Sequence, residues 1–176
     1  NIRSLPMKDH GGGVPGLWDI TTNTWTLGPD LDPWLFLRWA EEIVEKGSLE
    51  KIDNMRNVPL GFDTTKESQF LSYMIAWTYY FLKEFSFGVE NVNIEYAGVV
   101  FPVIMFALTI ISFFLFIREV FIEKSKENKV KANLIAIIAT FLMIVSPPLL
   151  SRTVAGIPEK ESAAFFFMFL SFYLLL

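Results

Sequence analysis

Two acidic pairs in this chain each have a single residue between the two acids. Asp30 and Asp32 form a D-x-D pair, and Glu159 and Glu161 form an E-x-E pair much later in the sequence. Hard divalent cations prefer carboxylate oxygens, and a short irregular stretch can bring two of them to one ion. The spacing therefore indicates a candidate site for Mg²⁺ or Mn²⁺, and such an ion commonly acts on a phosphate.

Arg152 precedes the second pair in the same connecting segment. Its planar guanidinium suits a phosphate oxygen, which agrees with an ion that acts on phosphate. The sequence has no cysteine, and its one histidine, His10, lies in a glycine-rich stretch, so a zinc site is not expected. The net charge of −4 gives no indication of nucleic-acid binding.

Each of these residues also has a purely structural interpretation. Asp32 before Pro33 can cap a helix, because its carboxylate can accept a hydrogen bond from an early backbone N–H. Asp30 can be a turn residue, and glutamates at the start of a helix are favoured by the helix dipole. Arg152 can extend to lipid headgroups. Spacing alone leaves these roles and a metal site both open.

The composition predicts a membrane protein. Of the 176 residues, 52% are hydrophobic and 18 are phenylalanine, and the mean hydropathy is +0.40. Two charge-free stretches are predicted to cross the bilayer, at about 97–117 and 132–150. A third apolar stretch, 163–176, stops short of the length of a span. We therefore expect the chain to be a fragment of a longer all-α, multi-span helical bundle.

Basic residues are distributed unevenly between the predicted loops. The segment 118–131 is rich in them and 151–161 is not. Those of the first segment are Arg118, Lys124, Lys126, Lys129 and Lys131. The positive-inside rule places 118–131 in the cytoplasm and the acidic segment 151–161 outside. Residues 1–95 are then predicted to form a first external segment and 96–176 the transmembrane region, with both acidic pairs on one face.

Two helices are predicted within the external segment. The first covers about 33–47, with Asp32 as its N-cap. Its apolar side chains recur on one face, at Phe36, Ala40, Ile43 and Val44. The second, 70–85, is aromatic and apolar but short for a span, which favours an interfacial or partly buried helix. If it did cross the membrane, Asp32 and Glu159 would lie on opposite faces.

Three of these stretches together resemble the catalytic subunit of oligosaccharyltransferases. LDPWLFLRWAEEIVEKGSL is similar to the family's DP-aromatic…R segment, SRTVAGIPEKESAAFFF to its second acidic motif, and MRNVPLG to its first external loop. The two acidic motifs occur in the family's order, with two predicted spans and a cytoplasmic loop between them. The resemblance implies the C-type glycosyltransferase membrane fold, a multi-span helical bundle with amphipathic helices in a long first external loop.

The resemblance also implies a function. It indicates an enzyme that transfers an oligosaccharide from a polyprenyl phosphate or diphosphate to the Asn of an Asn-x-Ser/Thr sequon, using Mg²⁺ or Mn²⁺. Asp32 would bind the metal and touch the acceptor amide, and Glu159 and Glu161 would be the second acidic pair, with at least one of them a metal ligand. Arg152 would bind the donor phosphate. Asp30, the first acid of the D-x-D pair, would lie next to Asp32 without binding the metal or the substrate itself.

The sequence departs from the family pattern at the second pair. The family has D-x-D, D-x-E or D-x-H there, and this chain has Glu-Lys-Glu, so Lys160 is expected to screen the pair partly. The family implies a multi-pass membrane protein with its active site on the extracytoplasmic face, and we expect a prokaryotic cell membrane. The fragment alone is expected to be inactive.

Two alternative functions are compatible with parts of the pattern. One is a related membrane enzyme that uses a polyprenyl-phosphate sugar donor, such as a protein O-mannosyltransferase or a lipid A sugar transferase. The other is a transporter or non-enzymatic membrane subunit, whose acids would only begin helices and whose function would not depend on a divalent metal.

Overall fold

A computed structural model of the chain describes residues 2–85, 92–122 and 126–176. The predictions of an external segment and of a cytoplasmic loop therefore extend partly outside the described residues, and Lys124 is one of those outside. The described residues are mainly α-helical, as predicted. Their α-helices are α1 Leu31–Lys46, α2 Phe70–Phe85, α3 Ile94–Phe121, α4 Lys126–Ile144, α5 Pro147–Arg152 and α6 Lys160–Leu174.

Short irregular and extended elements lie in the segment that is predicted to be external. Two antiparallel hairpins pair β1 Trp18–Asp19 with β2 Thr24–Trp25, and β3 Ile52–Asp53 with β4 Phe62–Asp63. Trp18 lies opposite Trp25 in the first hairpin, and Ile52 lies opposite Asp63 in the second. Two 3₁₀ helices cover Ile2–Met7 and Thr64–Lys66.

Helix α3 lies at the centre of the fold and packs against α1, α2, α4 and α6. Its first turn is fixed by Asn93, whose side-chain oxygen accepts a hydrogen bond from the Tyr96 N–H at 2.9 Å. Gly98 lies where α1 crosses, and a Cβ there would be 3.0 Å from a methyl carbon of Leu37. The small residue thus allows α1, which carries Asp32, to approach α3 closely.

The predicted apolar face of α1 is confirmed. Phe36, Ala40 and Ile43 are buried, and Val44 packs at their edge. Burial of each large side chain stabilises the fold by about 1.5–3 kcal/mol. These α1 residues share one core with buried residues of α2, α3 and α6. The latter are Leu71, Ile75, Ala76, Phe101, Met105 and Ala163.

The start of α1 differs from the prediction. The helix begins at Leu31 with Asp30 at its N-cap, so Asp32 lies in the first turn and not at the cap. The backbone N–H of Gly28 donates to the carbonyl of Gly156 at 2.8 Å. This tertiary contact fixes the chain just before the helix, and the local Asp-Pro signal contains no information about it. Helix α1 ends where predicted, at Gly47, whose φ of 83° suits glycine.

Among the described residues, α3 is the one helix that is long and apolar enough to cross a membrane. It has 28 residues and extends beyond the predicted span 97–117 at both ends. Helix α2 has 16 residues, about 24 Å at 1.5 Å per residue, against a hydrocarbon core of about 30 Å. Its bounds coincide with the predicted short helix 70–85.

The other two predicted apolar helices are shifted along the chain. The stretch 132–150 corresponds to α4, which begins within the lysine-rich segment and ends at Ile144. Helix α5 then starts at Pro147, because proline lacks a backbone N–H and suits a first helical position. The stretch 163–176 corresponds to α6, which begins at Lys160, inside the predicted acidic loop.

Candidate functional site

The two acidic segments meet at one cavity of about 280 Å³, which we call the acidic cavity. Its lining residues are Asp32, Phe36, Arg152, Glu159, Lys160 and Glu161. The cavity therefore combines three carboxylates and two cations that come from both ends of the chain. Asp30, the remaining predicted site residue, is outside this lining but lies near enough to Arg152 to raise its pKa.

Asp32 is brought to the cavity by the contact that precedes α1. The hydrogen bond between Gly28 and Gly156 joins the start of α1 to the loop after α5. The two segments lie close together there, since a Cβ on Gly28 would be 3.3 Å from a side-chain carbon of Ile157. In the first turn of α1 the helix dipole favours the negative charge of Asp32.

The loop between α5 and α6 is held by backbone contacts on two sides. The N–H of Ala155 donates to the carbonyl of Arg3 at 2.9 Å, and the N–H of Gly156 donates to the carbonyl of Val99 at 3.0 Å. Gly156 has a φ of 86°, in the left-handed region that favours glycine. Thr153 is buried and accepts a hydrogen bond from Arg3 Nε at 2.6 Å. This loop sets the separation between Arg152 and Glu159.

Arg152 and Glu159 form an ion pair across that loop. Arg152 ends α5, Glu159 is the N-cap residue of α6, and Arg152 Nη1 donates to Glu159 Oε2. Glu159 is buried, whereas the Arg152 side chain is 48% exposed, so the cation remains accessible from the cavity. The pKa of Arg152 is raised above its usual value by the hydrogen bond and charge of Glu159, and further by Glu161 and Asp30.

Lys160 lies between the two glutamates in sequence, but its ammonium is directed towards another carboxylate. Its Nζ donates to Glu67 Oε1 at 3.1 Å and lies 5.2 Å from the centroid of the Phe36 ring. Glu67 also accepts a hydrogen bond from Arg56 Nη1 at 2.5 Å. The contacts of Lys160 are thus with two residues outside the pair that it was predicted to screen.

Sequence reasoning missed Glu67 altogether. It stands in no acidic pair, and 93 residues separate it from Lys160. For Arg56 the one available signal was its place in the stretch MRNVPLG.

A second and larger cavity, of about 510 Å³, also borders Asp32. Its lining residues are Asp32, Trp34, Leu35, Leu37, Arg38, Glu41, Met55 and Arg56. We call it the large cavity. Asp32 is the residue that lines both cavities, so a ligand in either one can reach its carboxylate.

A buried carboxylate fixes the wall of the large cavity. Asp53 accepts hydrogen bonds from Arg38 Nη1 and from Trp39 Nε1, each at 2.9 Å, and from the Met55 N–H at 3.0 Å. The Arg38 guanidinium, followed by the Trp39 and Met55 hydrogen bonds, lowers the pKa of Asp53 to about 2. Asp53 therefore stays ionised and anchors Arg38 to the β3–β4 hairpin.

The acidic cavity has the type of donor atom that hard divalent cations prefer, but its described residues are not a converged set of ligands. Asp32, Glu159 and Glu161 offer carboxylate oxygens around one cavity, and Mg²⁺ and Mn²⁺ prefer such ligands. Within the part of the chain that the structure describes, no three His, Asp or Glu side chains converge tightly enough to form a metal site by themselves. One oxygen of Glu159 is engaged by Arg152.

Comparison with models of protein families gives a match. A family model described as "Oligosaccharyl transferase STT3, N-terminal" matches residues 21–176. The matched range contains the D-x-D pair, both cavities, Arg152 and the E-x-E pair. A search of curated proteins found no match to the chain.

Proposed function

We propose that this chain, which belongs to the STT3 family of oligosaccharyl transferases and matches the N-terminal part of that family, takes part in oligosaccharide transfer. The proposed reaction moves a lipid-linked oligosaccharide to asparagine in Asn-x-Ser/Thr sequons. The donor is a polyprenyl phosphate or diphosphate oligosaccharide, and the acceptor is a polypeptide. The family match favours this activity over an O-mannosyltransferase-like enzyme and over a transporter.

One observation carries the proposal. Asp32 and the segment from Arg152 to Glu161 line a single cavity although they lie far apart in sequence. A carboxylate that can hold an amide is thus placed near a cation that can hold a phosphate. An oligosaccharyl transfer requires these two groups together, because the acceptor nitrogen and the leaving phosphate lie on opposite sides of one sugar carbon.

Asp32 orients the acceptor amide. An amide nitrogen is a poor nucleophile because its lone pair is delocalised into the carbonyl. Asp32 accepts hydrogen bonds from the amide N–H groups and holds the nitrogen against the anomeric carbon of the sugar. Its place in the first turn of α1, on a packed helix, restricts the positions that its carboxylate can take.

The transfer is a single displacement with inversion at the anomeric carbon. A bond forms from the amide nitrogen to this carbon, and the bond from the carbon to the phosphate oxygen breaks with its electron pair. The phosphate leaves with the lipid, and the amide proton passes to Asp32. Arg152 binds the leaving phosphate and stabilises its growing negative charge.

The two cavities give the two substrates separate places. The acidic cavity carries Arg152 and Lys160 and suits the charged phosphate of the donor. The large cavity carries Trp34, Leu35 and Arg38 and suits a polypeptide segment. Asp32 borders both and can therefore meet the acceptor on one side and the donor on the other.

The carboxylates of the acidic cavity would hold a divalent ion. Asp32, Glu159 and Glu161 would hold Mg²⁺ or Mn²⁺, and the bound ion would supply charge stabilisation for the phosphate leaving group. Asp30 supports the site through its charge, which acts on Arg152.

The protein works as a multi-pass membrane protein in the fold of C-type membrane glycosyltransferases. Helix α3 crosses the membrane, and we place α4 and α6 in the bilayer beside it because both pack against α3 and carry exposed apolar faces. The lysine-rich segment 118–131 faces the cytoplasm of a prokaryotic cell. Both cavities then open on the extracytoplasmic face.

The direct test is glycopeptide formation from a lipid-linked oligosaccharide and a sequon peptide, measured in the complete protein. Asp32→Asn should lower the rate by about a hundredfold or more, because a neutral amide cannot replace the carboxylate. Asp19→Asn is the matched control, since Asp19 of β1 accepts hydrogen bonds from Thr21 and lies outside the lining of both cavities. Transfer by Asp32→Asn at close to the unmodified rate would refute the assignment.

A further inference from the structure

Lys160 belongs to an ion trio that spans two external segments. Its partner Glu67 bonds both Lys160 Nζ, at 3.1 Å, and Arg56 Nη1, at 2.5 Å. Glu67 precedes α2, Arg56 lies in the β3–β4 hairpin, and Lys160 starts α6. The trio thus ties the second acidic segment to the first external segment at the wall of the acidic cavity.

The trio carries an excess of positive charge. One carboxylate is shared by two cations, so the three side chains together have a net charge of about +1 at neutral pH. Glu67 is held ionised, because the Arg56 hydrogen bond, and after it Lys160, lowers its pKa. The Lys160 side chain is 49% exposed and lines the acidic cavity, so part of its charge is available to an anion there.

The position of Lys160 is also restrained on its apolar side. Its ammonium lies 5.2 Å from the centroid of the Phe36 ring, within the range of a cation–π contact. Phe36 is buried in the core that α1 forms with α2, α3 and α6. Glu67 and Phe36 together hold the ammonium at the cavity wall.

We propose that Lys160 is a second phosphate-binding cation for the lipid-linked donor and that Glu67 is the residue that positions it. This inference rests on the proposed transfer function, which supplies the phosphate. Arg152 and Lys160 both line the acidic cavity, and the two cations bind the phosphate together. The alternative is that Lys160 only neutralises the two glutamates, and it predicts that binding of the donor phosphate does not change once the lysine is removed.

The experiment measures binding of farnesyl diphosphate to the purified complete protein in detergent, with farnesol as the phosphate-free control. Lys160→Gln should raise the Kd for farnesyl diphosphate about tenfold, since a charge-assisted contact is lost. Lys160→Arg should bind within about threefold of the unmodified protein, because it keeps a cation there. Farnesol binding should not change in either variant.

Glu67→Gln tests the positioning role. It keeps Lys160 but removes its charged partner, so it should raise the same Kd by a smaller factor than Lys160→Gln. The double variant should be no weaker than Lys160→Gln alone, because both changes act through one ammonium. In the transfer assay Lys160→Gln should raise the KM for the donor and leave the KM for the acceptor peptide unchanged, a split that a merely structural role would not produce.

Lys46→Gln is the matched control. Lys46 also pairs with two carboxylates, Glu42 and Glu50, but at the far end of α1 from Asp32. Its removal should leave farnesyl diphosphate binding unchanged. Unchanged binding of farnesyl diphosphate by Lys160→Gln would overturn the inference in favour of the neutralising role.

Competitors separate the possible sources of the phosphate. Phosphatidylglycerol or inorganic diphosphate that displaces farnesyl diphosphate at equal concentration would refute recognition of a prenyl-linked phosphate. Failure of this inference and failure of the proposed function remain distinguishable. Lys160-dependent binding of farnesyl diphosphate by a protein that transfers no glycan would refute the transfer function alone.

Discussion

The carboxylates around the acidic cavity differ in their accessibility. Glu159 is buried and bonded to Arg152, whereas Asp32 and Glu161 are exposed. A buried glutamate that already has a cationic partner is poorly placed to touch a polypeptide. This difference supports the proposed acceptor contact of Asp32 and limits the proposed roles of Glu159 to metal binding and to holding Arg152.

This difference gives a prediction for Glu159→Gln. Glycan transfer should fall, because a neutral amide is a weaker ligand for a hard cation, and raised Mn²⁺ should restore part of the rate. Initial rates over a series of Mn²⁺ concentrations measure the effect. Glu50→Gln, an exposed glutamate that pairs with Lys46, is the control. A rate that stays low at every Mn²⁺ concentration would contradict a metal-binding role for Glu159.

Asp53 gives a prediction for pH dependence. Its folded-state pKa of about 2 lies below the unfolded value of about 3.9, so its stabilising effect is present above about pH 4 and is lost as the pH falls towards 2. The Tm in detergent should therefore fall more steeply between pH 5 and pH 2.5 in the unmodified protein than in Asp53→Asn. Equal slopes in the two proteins would show that Asp53 does not carry this dependence.

At the scale of elements, the sequence predicted what depends on local periodicity. The apolar face of α1 and both ends of α2 follow from repeats of about 3.6 residues and from punctuation such as Gly47. The predicted start of α1 was wrong. The hydrogen bond between Gly28 and Gly156 holds the chain just before the helix, and no local sequence pattern predicts this contact.

The candidate site was likewise predicted only in part from the sequence. Asp32, Arg152, Glu159 and Glu161 were proposed from their spacing and from the family resemblance, and the structure brings all four to one cavity. Glu67 could not be proposed, because an isolated glutamate has no pattern and its partner Lys160 lies 93 residues away. The large cavity likewise depends on how a hairpin packs against α1, which is a property of the tertiary fold.

The loop between α5 and α6 can be tested as an element through Gly156. A Cβ there would lie 2.7 Å from a methyl carbon of Leu17 and 3.3 Å from the nitrogen of Gly28, and the φ of 86° disfavours alanine. Gly156→Ala should therefore destabilise the protein by about 1–3 kcal/mol and lower glycan transfer, because the loop sets the position of Arg152.

Gly12→Ala is the control for this change. A Cβ on Gly12 would meet nothing within 4 Å, so the Tm and the transfer rate should both be retained. Gly156→Ala with an unchanged Tm would show that the loop relaxes around the added methyl group and does not fix Arg152.

At the scale of the whole molecule, the first external segment and the acidic loop form one unit. The backbone of Arg3 bonds Ala155, Gly28 bonds Gly156, and Lys160 pairs with Glu67. Three separate parts of the first segment thus contact the residues around the second acidic pair. These contacts support the proposed membrane arrangement, in which both segments lie on one side of the bilayer and an even number of spans connects them.

Single introduced cysteines test this arrangement, because the chain itself contains no cysteine. Ile20→Cys and Ser151→Cys change exposed residues of the first segment and of α5, and Val130→Cys changes an exposed residue of the lysine-rich segment. In intact cells a membrane-impermeant thiol reagent should label positions 20 and 151 and should not label position 130.

Permeabilised cells should label all three positions, which controls for accessibility. Labelling of position 20 but not of 151 in intact cells would place the two acidic segments on opposite faces, as a membrane-crossing α2 would require, and would exclude a shared site.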